Sequence, residues 1–546
     1  MNQLGEDARN RLAAIQRAAG AGDLAGATQL AESALADGLE HPLVLNLVAV
    51  ACEDGDDLSQ AIALLRRAVD LAPTDPGSRI ALGLCLRRAG ELDEALECFD
   101  AVIELAPGLP FGYVNRGATL QVLGRLGEAA AAFDRCLAID ATNPVALAGQ
   151  ARIASLMGSF DDARRLGMAA LAKAPSLPDA VLAVAAADLA EHEFDAAERR
   201  LTQFLGSASP SPQDEADVRG LLGDVLDAAG RVHAAFAAYS DANAILRRAH
   251  GPSYETSRRA MPYARSMAEA LSREQPIAVN DDPANTGPAR HAFLLGFPRS
   301  GTTLLEVTLD GHPGIVSLEE KELMLDAARC FLNSPQDLHR LLQRPDADLG
   351  LDEFRTLYWQ AALEAGASFA GKLFLDKYPL NTLKLPLIVR LFPRARILFA
   401  VRDPRDVVLS CYRRRFRMSP PMYEMLTLRG AAEYYATVMA YAKECLRVLH
   451  LQPRYVRYEQ LVEDFDGETS RLCAFLGLEW SAEMGDFAGR AKRRASATPS
   501  TAQLSRGLDR ALAGQWQRYA NEMDEVMPIL APWVREFGYD PEPGTL

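Results

Sequence analysis

The spacing of apolar and polar residues differs between the two halves of this 546-residue chain. From residue 292 onward, short apolar runs alternate with helix-like segments, which predicts a parallel sheet covered on both faces. The clearest predicted strands are Ala292–Leu295, Leu373–Leu375, Ile397–Val401 and Arg454–Arg457. The first half instead repeats one pattern of paired helices. We therefore predict an α-helical array followed by an α/β domain with a central parallel sheet.

The repeating unit of the first half is 34 residues long. It is marked by in-phase prolines and alanines: Pro42, Pro76, Pro110, Pro144, Pro178 and Pro212, with Ala27, Ala61, Ala95, Ala129, Ala163 and Ala197. Proline suits the first turn of a helix, where its missing N–H is not needed, and the small alanine lets paired helices approach closely. Gly90, Gly124 and Gly158 fall at the predicted turns. This pattern resembles the tetratricopeptide repeat, which implies a helical solenoid that binds a protein partner. Six in-phase prolines disfavour the alternative of a generic helical bundle.

Charge also separates the halves. Residues 1–250 contain 21 Lys and Arg against 35 Asp and Glu, whereas residues 251–546 contain 37 against 38. An acidic array disfavours nucleic-acid binding and would attract a basic partner. An acidic face that contacts only solvent explains the excess negative charge as well. Residues 275–288 have the composition of a linker. We predict a solenoid over residues 1–250, a capping helix and linker over 251–290, and an α/β domain over 291–546.

Neither a leader nor a membrane span is indicated. The acidic N-terminus lacks an apolar leader region, and no uncharged run of 18 apolar residues occurs. Eight cysteines are scattered without CxxC pairs, which favours reduced core residues. We expect a soluble, cytoplasmic protein.

The segment Gly296–Thr303, read Gly-Phe-Pro-Arg-Ser-Gly-Thr-Thr, lies between a predicted strand and a predicted helix. Backbone N–H groups and the positive end of the helix would bind an anion there, together with the Arg299 cation. The loop is P-loop-like, but Thr302 stands where a nucleoside triphosphatase has its Lys.

A second phosphate motif begins with the strand Ile397–Val401 and continues into Arg402 and, eight residues later, Ser410. An Arg fork and a Ser hydroxyl can hold a phosphate monoester together. Arg413, Arg414, Arg415 and Arg417 would deepen the positive potential, and a solvated basic helix face is the alternative for this run.

Together the two motifs resemble the donor site of sulfotransferases that use 3′-phosphoadenosine 5′-phosphosulfate (PAPS). Over residues 293–541 the chain looks most similar to the protein-tyrosine sulfotransferases, so a tetratricopeptide-repeat sulfotransferase is suspected. The resemblance implies PAPS as co-substrate and no metal. It implies these donor-binding residues: Pro298, Arg299, Ser300, Gly301, Thr302, Thr303, Arg402, Ser410, Arg414, Tyr458, Ser500, Thr501, Gln515 and Trp516.

The same resemblance implies a catalytic set of Glu320, Lys377 and Arg299. Glu320 would accept the proton of the acceptor hydroxyl, and Lys377 would stabilise charge on the leaving phosphate. The alternatives are an acidic helix start at Glu319 and Glu320, and a surface Lys after a strand. His312 is interpreted as a structural residue at a helix end.

Two positions depart from the family pattern. Gln515 replaces a Lys of the nucleotide pocket, and Arg506, Arg510 and Arg518 are the candidates to substitute for that Lys. Glu322 replaces an Arg that engages acidic tyrosine peptides in the family. The alternatives for the acceptor hydroxyl are therefore a protein tyrosine, another peptide, a glycan and a small hydroxylated molecule. The function predicted is sulfonate transfer, with the repeats binding acceptor or partner. A P-loop-type kinase or nucleotidase and an inactive repeat scaffold are the alternatives.

Overall fold

The computed structural model describes residues 5–55, 57–207, 209–277, 290–487, 489–490 and 512–540. These residues form two compact units, one ending at residue 187 and the other beginning at residue 188. The domain limits at residues 250 and 290 remain a proposal. Within the described residues, no helix has both the length and the apolar composition needed to cross a membrane.

Paired helices build the first unit, as the 34-residue period predicts. They are α1 (Glu6–Gly20), α2 (Leu24–Ala36), α3 (Pro42–Asp54), α4 (Leu58–Leu71), α5 (Pro76–Ala89), α6 (Leu92–Leu105), α7 (Pro110–Val122), α8 (Leu126–Ile139), α9 (Pro144–Leu156), α10 (Phe160–Lys173) and α11 (Pro178–Ala190), the last of which runs past the limit. Gly90 has φ of 87° directly after α5, a left-handed conformation that favours glycine, so the chain turns into α6. Ala61 and Ala95 are fully buried, which lets neighbouring helices approach closely.

The second unit begins with helices that precede the sheet: α12 (Phe194–Ser207), α13 (Pro212–Ala228), α14 (Val232–Thr256) and α15 (Ala260–Ser272). Helix α14 extends beyond the predicted end of the array near residue 250, and α15 lies within the segment 251–290, for which a capping helix and linker were predicted. Tyr239 of α14 and Met267 of α15 belong to the same buried cluster as Phe293 of the sheet. Helices α14 and α15 therefore share a hydrophobic core with the α/β part.

A five-stranded parallel sheet forms the centre of this unit. Its strands are β1 (Arg290–Leu295), β2 (Ile315–Ser317), β3 (Leu373–Lys377), β4 (Arg396–Val401) and β5 (Arg454–Arg457). Their order is β2-β3-β1-β4-β5, with Leu294 of β1 opposite Lys377 of β3. Strand β2 was not predicted, because three residues are too few to show an alternating pattern.

Helices and short 3-10 turns connect the strands. The helices are α16 (Thr302–Leu309), α17 (Leu325–Phe331), α18 (Pro335–Gln343), α19 (Asp346–Leu349), α20 (Leu351–Glu364), α21 (Leu385–Leu391), α22 (Pro404–Arg413), α23 (Pro420–Glu424), α24 (Leu428–Val448), α25 (Tyr458–Glu463), α26 (Phe465–Leu476), α27 (Ala520–Met523) and α28 (Met527–Glu536). The 3-10 turns are Pro379–Lys384, Ala482–Gly485 and Gln515–Tyr519.

Both faces of the sheet are buried, which explains why the strands read as continuous apolar runs. Phe293 and Leu295 of β1 pack into the core on one face, and Ala292 and Leu294 pack into the core on the other. Because all strands are parallel, their carboxyl ends meet at one edge, where ligands bind in open α/β sheets.

Candidate functional site

The loop after β1 turns sharply at the carboxyl edge of the sheet. Gly301 has φ of 92° and Arg299 has φ of 70°, so the chain folds back before α16 begins at Thr302. The loop is anchored by Thr382, whose hydroxyl accepts a hydrogen bond from the Gly296 amide at 3.1 Å. The predicted arrangement of strand, loop and helix is thus present, with the positive end of α16 at the loop.

A direct hydrogen bond joins the two phosphate motifs. Arg299 Nε donates to Ser410 Oγ at 3.0 Å, although the residues are 111 positions apart in the chain. Ser410 lies on α22, which starts immediately after β4 with Pro404 in its first turn and the Asp403 carboxylate capping it. Since β1 and β4 are neighbours, the loop after one strand faces the helix after the other.

Arg402 lies at the end of β4, beside the same loop. Its Nη1 donates to the Arg299 carbonyl at 3.4 Å, and its guanidinium carbon lies 5.0 Å from the Tyr458 ring centroid. Its Nη2 donates to the Leu512 carbonyl. The buried Nε of Arg402 has no hydrogen-bond partner among the residues that the structure describes. A buried donor of this kind is available to an anionic ligand.

Cations and polar groups surround a cavity at this point. Its lining consists of Arg299, Arg402, Asp406, Leu409, Ser410, Arg413, Arg414, Leu512 and Gln515. Burial, together with the nearby Arg414 and Arg402 cations, lowers the pKa of Arg299 below its ordinary value. Like charges held this close are stabilised when an anion enters between them.

The arginine run at the end of α22 is not a solvated helix face. Arg413 is only 10% exposed, and Arg414 and Arg415 are also mostly covered. Helix α22 ends at Arg413, Arg414 has an extended backbone, and Arg415 lies outside any helix. The alternative of a surface basic helix is thereby removed for these three residues.

A second cluster forms around Lys377 at the carboxyl end of β3. The Lys377 side chain is 2% exposed, and its ammonium nitrogen lies 2.8 Å from Glu320 Oε1 and 3.1 Å from Glu306 Oε2. Burial lowers the pKa of Lys377, but the carboxylates of Glu306 and Glu320 outweigh this effect and hold the pKa above its ordinary value. Lys377 is therefore a charged, positioned cation and not a surface side chain.

Glu319 and Glu320 do not start a helix. They lie in a bend after β2, where Glu319 has φ of 56°, and α17 begins only at Leu325. The side chain of Glu320 is 45% exposed, so one carboxylate edge contacts Lys377 while solvent reaches the group. A helix dipole does not account for this pair of acids.

The other loop residues predicted for the donor site lie next to Arg299, outside the set of residues that lines the cavity. Ser300, Thr302 and Thr303 are buried in the loop and the first turn of α16. The Pro298 carbonyl accepts from Cys411 Sγ at 3.4 Å. Tyr458 packs beneath Gly301, where an added Cβ would lie 2.8 Å from the phenol ring.

The C-terminal residues of the predicted donor site divide into two groups. Gln515 Oε1 accepts from Arg413 Nη1 at 3.3 Å, which places it at the cavity. Trp516 is buried beside the cavity, with its indole 3.9 Å from the Arg405 guanidinium carbon. Ser500 and Thr501 lie outside the described residues.

Two buried carboxylates beside the predicted site residues were missed by sequence reasoning. Glu306 is fully buried within α16, and an acid inside the apolar stretch Leu304–Leu309 was the available signal. Asp406 accepts hydrogen bonds from the backbone amides of Gly514 at 2.7 Å and Trp516 at 2.9 Å. No sequence pattern points to that role. His312 is structural, since its Nδ1 accepts from the Gly314 amide at 2.9 Å.

Comparisons with known proteins agree with this architecture. Residues 292–482 match the model of the sulfotransferase family, and residues 12–76 and 53–110 match tetratricopeptide repeat models. Protein-tyrosine sulfotransferase A of Caenorhabditis elegans is 24% identical over 285 residues, covering 50% of this chain and 73% of that protein. Protein-tyrosine sulfotransferase 2 of Gallus gallus is 25% identical over 261 residues, covering 46% and 69%.

Among solved structures, the sulfotransferase domain from the Synechococcus PCC 7002 olefin synthase is 22% identical, covers 48% of this chain and 98% of that chain, and has a TM-score of 0.34. The family matches fall on the two parts of the chain that the sequence pattern separates. This chain therefore combines tetratricopeptide repeats with a domain of the sulfotransferase family.

Proposed function

We propose that this chain is a sulfotransferase that moves a sulfonate group from PAPS to an acceptor hydroxyl. The observation that supports the proposal most is the contact of the two phosphate motifs, Arg299 Nε to Ser410 Oγ at 3.0 Å, with Arg402 beside them. Two separated anion-binding motifs that meet at one cavity suit a donor with phosphate groups at both its 5′ and 3′ positions.

The residues present fit such a donor. The loop from Pro298 to Thr303 would hold the 5′-phosphosulfate, because its backbone and the start of α16 favour an anion. Arg402 and Ser410 would hold the 3′-phosphate, and the buried Nε of Arg402 offers an unused donor for it. PAPS supplies the transferable sulfonate group.

Glu320 and Lys377 are proposed to carry the chemical step. The acceptor oxygen forms a bond to sulfur while its proton moves to the Glu320 carboxylate. The sulfur–oxygen bond to the phosphate breaks, and that oxygen keeps the electron pair. Lys377 would stabilise this charge, and Glu306 would keep the ammonium charged and in place.

The acceptor class is proposed from the surroundings of Glu320. Glu322 lies two residues further on, and its carboxylate pairs with the Lys384 ammonium. Acidic tyrosine peptides are a poor match, because the Lys384 cation is paired with Glu322 and the pair has no net positive charge to attract them. We therefore place neutral or basic tyrosine peptides, glycans and small hydroxylated molecules ahead of acidic peptides, with the repeats binding acceptor or partner.

Titration calorimetry with 3′-phosphoadenosine 5′-phosphate, the desulfated product, tests the donor site. The full chain should bind this ligand without magnesium, and Arg402→Ala should weaken binding by roughly 10-fold to 100-fold, since a charged hydrogen bond is lost. ADP with magnesium, as the parallel ligand, should bind far more weakly.

Arg429→Ala is the matched control for this titration. It removes the same charge from the same unit, at an exposed arginine that pairs with Glu433 at 2.9 Å. Its affinity should equal that of the unmodified chain. An unmodified chain that binds only the magnesium nucleotide would contradict the sulfotransferase proposal and favour a kinase or nucleotidase.

A further inference from the structure

Helices α13 and α14 contact α22, the helix that carries Ser410, inside the second unit. Asn243 Nδ2 donates to the Tyr412 carbonyl at 2.9 Å, and the hydroxyls of Ser240 and Tyr412 lie 2.7 Å apart. Asn243 is buried. Since α22 carries Ser410 and ends at Arg413, these contacts fix the end of the helix that lines the cavity.

Asp227 of α13 reaches a cavity arginine directly. Its carboxylate lies 2.6 Å from Arg413 Nη2 and accepts from Tyr519 Oη at 2.7 Å. The Arg413 guanidinium carbon lies 5.3 Å from the ring centroids of both Tyr239 and Tyr519. The other terminal nitrogen of the guanidinium group, Nη1, donates to Gln515 Oε1 at the cavity. Arg413 is thus held in one orientation from the helix side.

Asp224 lies one helical turn before Asp227 and contacts the next two arginines. Its Oδ2 is 3.6 Å from Arg414 Nη1 and 3.6 Å from Arg415 Nη2. Tyr239 Oη donates to its other oxygen at 2.8 Å. Burial would raise the pKa of Asp224, but Arg414 and Arg415 outweigh it and hold the pKa below its ordinary value. The two acids share one face of α13, three residues apart.

We propose that Asp227 and Asp224 are positioning residues of the donor site, so that the helix pair preceding the sheet is a working part of that site. The inference rests on the proposed function. An arginine side chain has many rotamers, and fixing it when a ligand binds costs conformational entropy. A carboxylate that already holds the guanidinium group removes this cost, so the remaining N–H groups are in place for a phosphate before it binds. Affinity for the donor then depends on residues outside both phosphate motifs.

The sign of the effect makes the proposal testable. Removing a negative charge near an anion site raises the positive potential, which by itself would tighten anion binding. If Asp227 positions Arg413, its removal should instead weaken anion binding. In calorimetry with 3′-phosphoadenosine 5′-phosphate, Asp227→Asn should bind about tenfold more weakly than the unmodified chain. Asp224→Asn, acting through Arg414, provides a second test should the first variant fail to fold.

A double-variant cycle separates positioning from general damage. In an Arg413→Ala background, Asp227→Asn should cause no further loss, because the arginine it orients is gone. Asp241→Asn removes the same charge from the same helix pair, at a carboxylate that is 64% exposed and pairs with Arg219 at 3.3 Å. This control should keep or slightly tighten the binding.

Each outcome decides between the hypotheses. Unchanged or tighter binding by Asp227→Asn overturns the inference and leaves the proposed function standing, provided that the unmodified chain binds. An equal loss in the Arg413→Ala background also overturns it, since the effect would then be structural. No binding by the unmodified chain means that the proposed function itself has failed.

Discussion

At the scale of single residues, the proposal depends most on the carboxylate of Glu320. Glu320→Gln keeps the side-chain volume and an oxygen toward Lys377, but it cannot accept the acceptor's proton. We expect turnover to fall by roughly 100-fold or more, because a general base contributes about that factor. Binding of 3′-phosphoadenosine 5′-phosphate should change little. Transfer from radiolabelled PAPS, with the acceptor found by screening the classes above, measures the first quantity, and calorimetry measures the second.

The neighbouring acid provides the control for this substitution. Glu319→Gln makes the same chemical change one residue earlier and leaves the 2.8 Å contact of Lys377 with Glu320 in place. Turnover should stay close to that of the unmodified chain. Full activity in Glu320→Gln would exclude Glu320 as the base, and loss in both variants would point to the bend as a whole.

At the scale of elements, the loop between β1 and α16 depends on a glycine. Gly301 has φ of 92°, and an added Cβ would lie 2.8 Å from the Tyr458 ring. Gly301→Ala should therefore strain the backbone by about 1 kcal/mol and displace Tyr458, on which Arg402 stacks. We expect lower thermal stability and a several-fold weaker affinity for 3′-phosphoadenosine 5′-phosphate, measured by thermal unfolding and calorimetry.

Gly350 offers a glycine with similar backbone strain and open surroundings. It has φ of 63°, and apart from its chain neighbours no heavy atom of the described residues would lie within 4 Å of an added Cβ. Gly350→Ala should lower stability by a similar strain while leaving ligand affinity unchanged. Equal affinities in both variants would show that the Gly301–Tyr458 contact does not shape the donor site.

At the scale of the whole second unit, a buried polar network makes stability depend on pH. Tyr358 Oη donates to Asp376 at 2.7 Å and lies 2.8 Å from His291 Nε2, which links α20 to β3 and β1. Burial raises the pKa of Asp376 to about 7, from an ordinary value of 3.8. The folded state thus holds this proton more tightly than the unfolded state, so stability falls as pH rises through that interval.

Asp376→Asn removes the titrating group and keeps a hydrogen-bond acceptor for Tyr358. Relative to the unmodified chain, its thermal midpoint should rise between about pH 4 and about pH 7, the interval between the unfolded and folded pKa values of Asp376. Asp326→Asn, at a carboxylate that is 75% exposed, should show no such change. A constant difference between Asp376→Asn and the unmodified chain over this range would contradict the buried-acid interpretation.

The sequence by itself determined the features that depend on local spacing. The 34-residue period predicted paired helices because proline at a helix start and glycine at a turn act within a few residues. The order of strand, loop and helix around Arg299 could be read for the same reason. Arg402 and Ser410 were predicted to form a phosphate site because they lie eight residues apart, directly after one predicted strand and on the helix that follows it.

Tertiary structure alone decided which of these groups meet. The strand order brings together Arg299 and Ser410, which are 111 positions apart, and the packing of α13 brings together Asp227 and Arg413, which are 186 positions apart. Glu306 became a partner of Lys377 only because α16 follows the strand that neighbours β3. Such contacts follow from how elements bury their apolar faces against one another, and no local residue pattern records that choice.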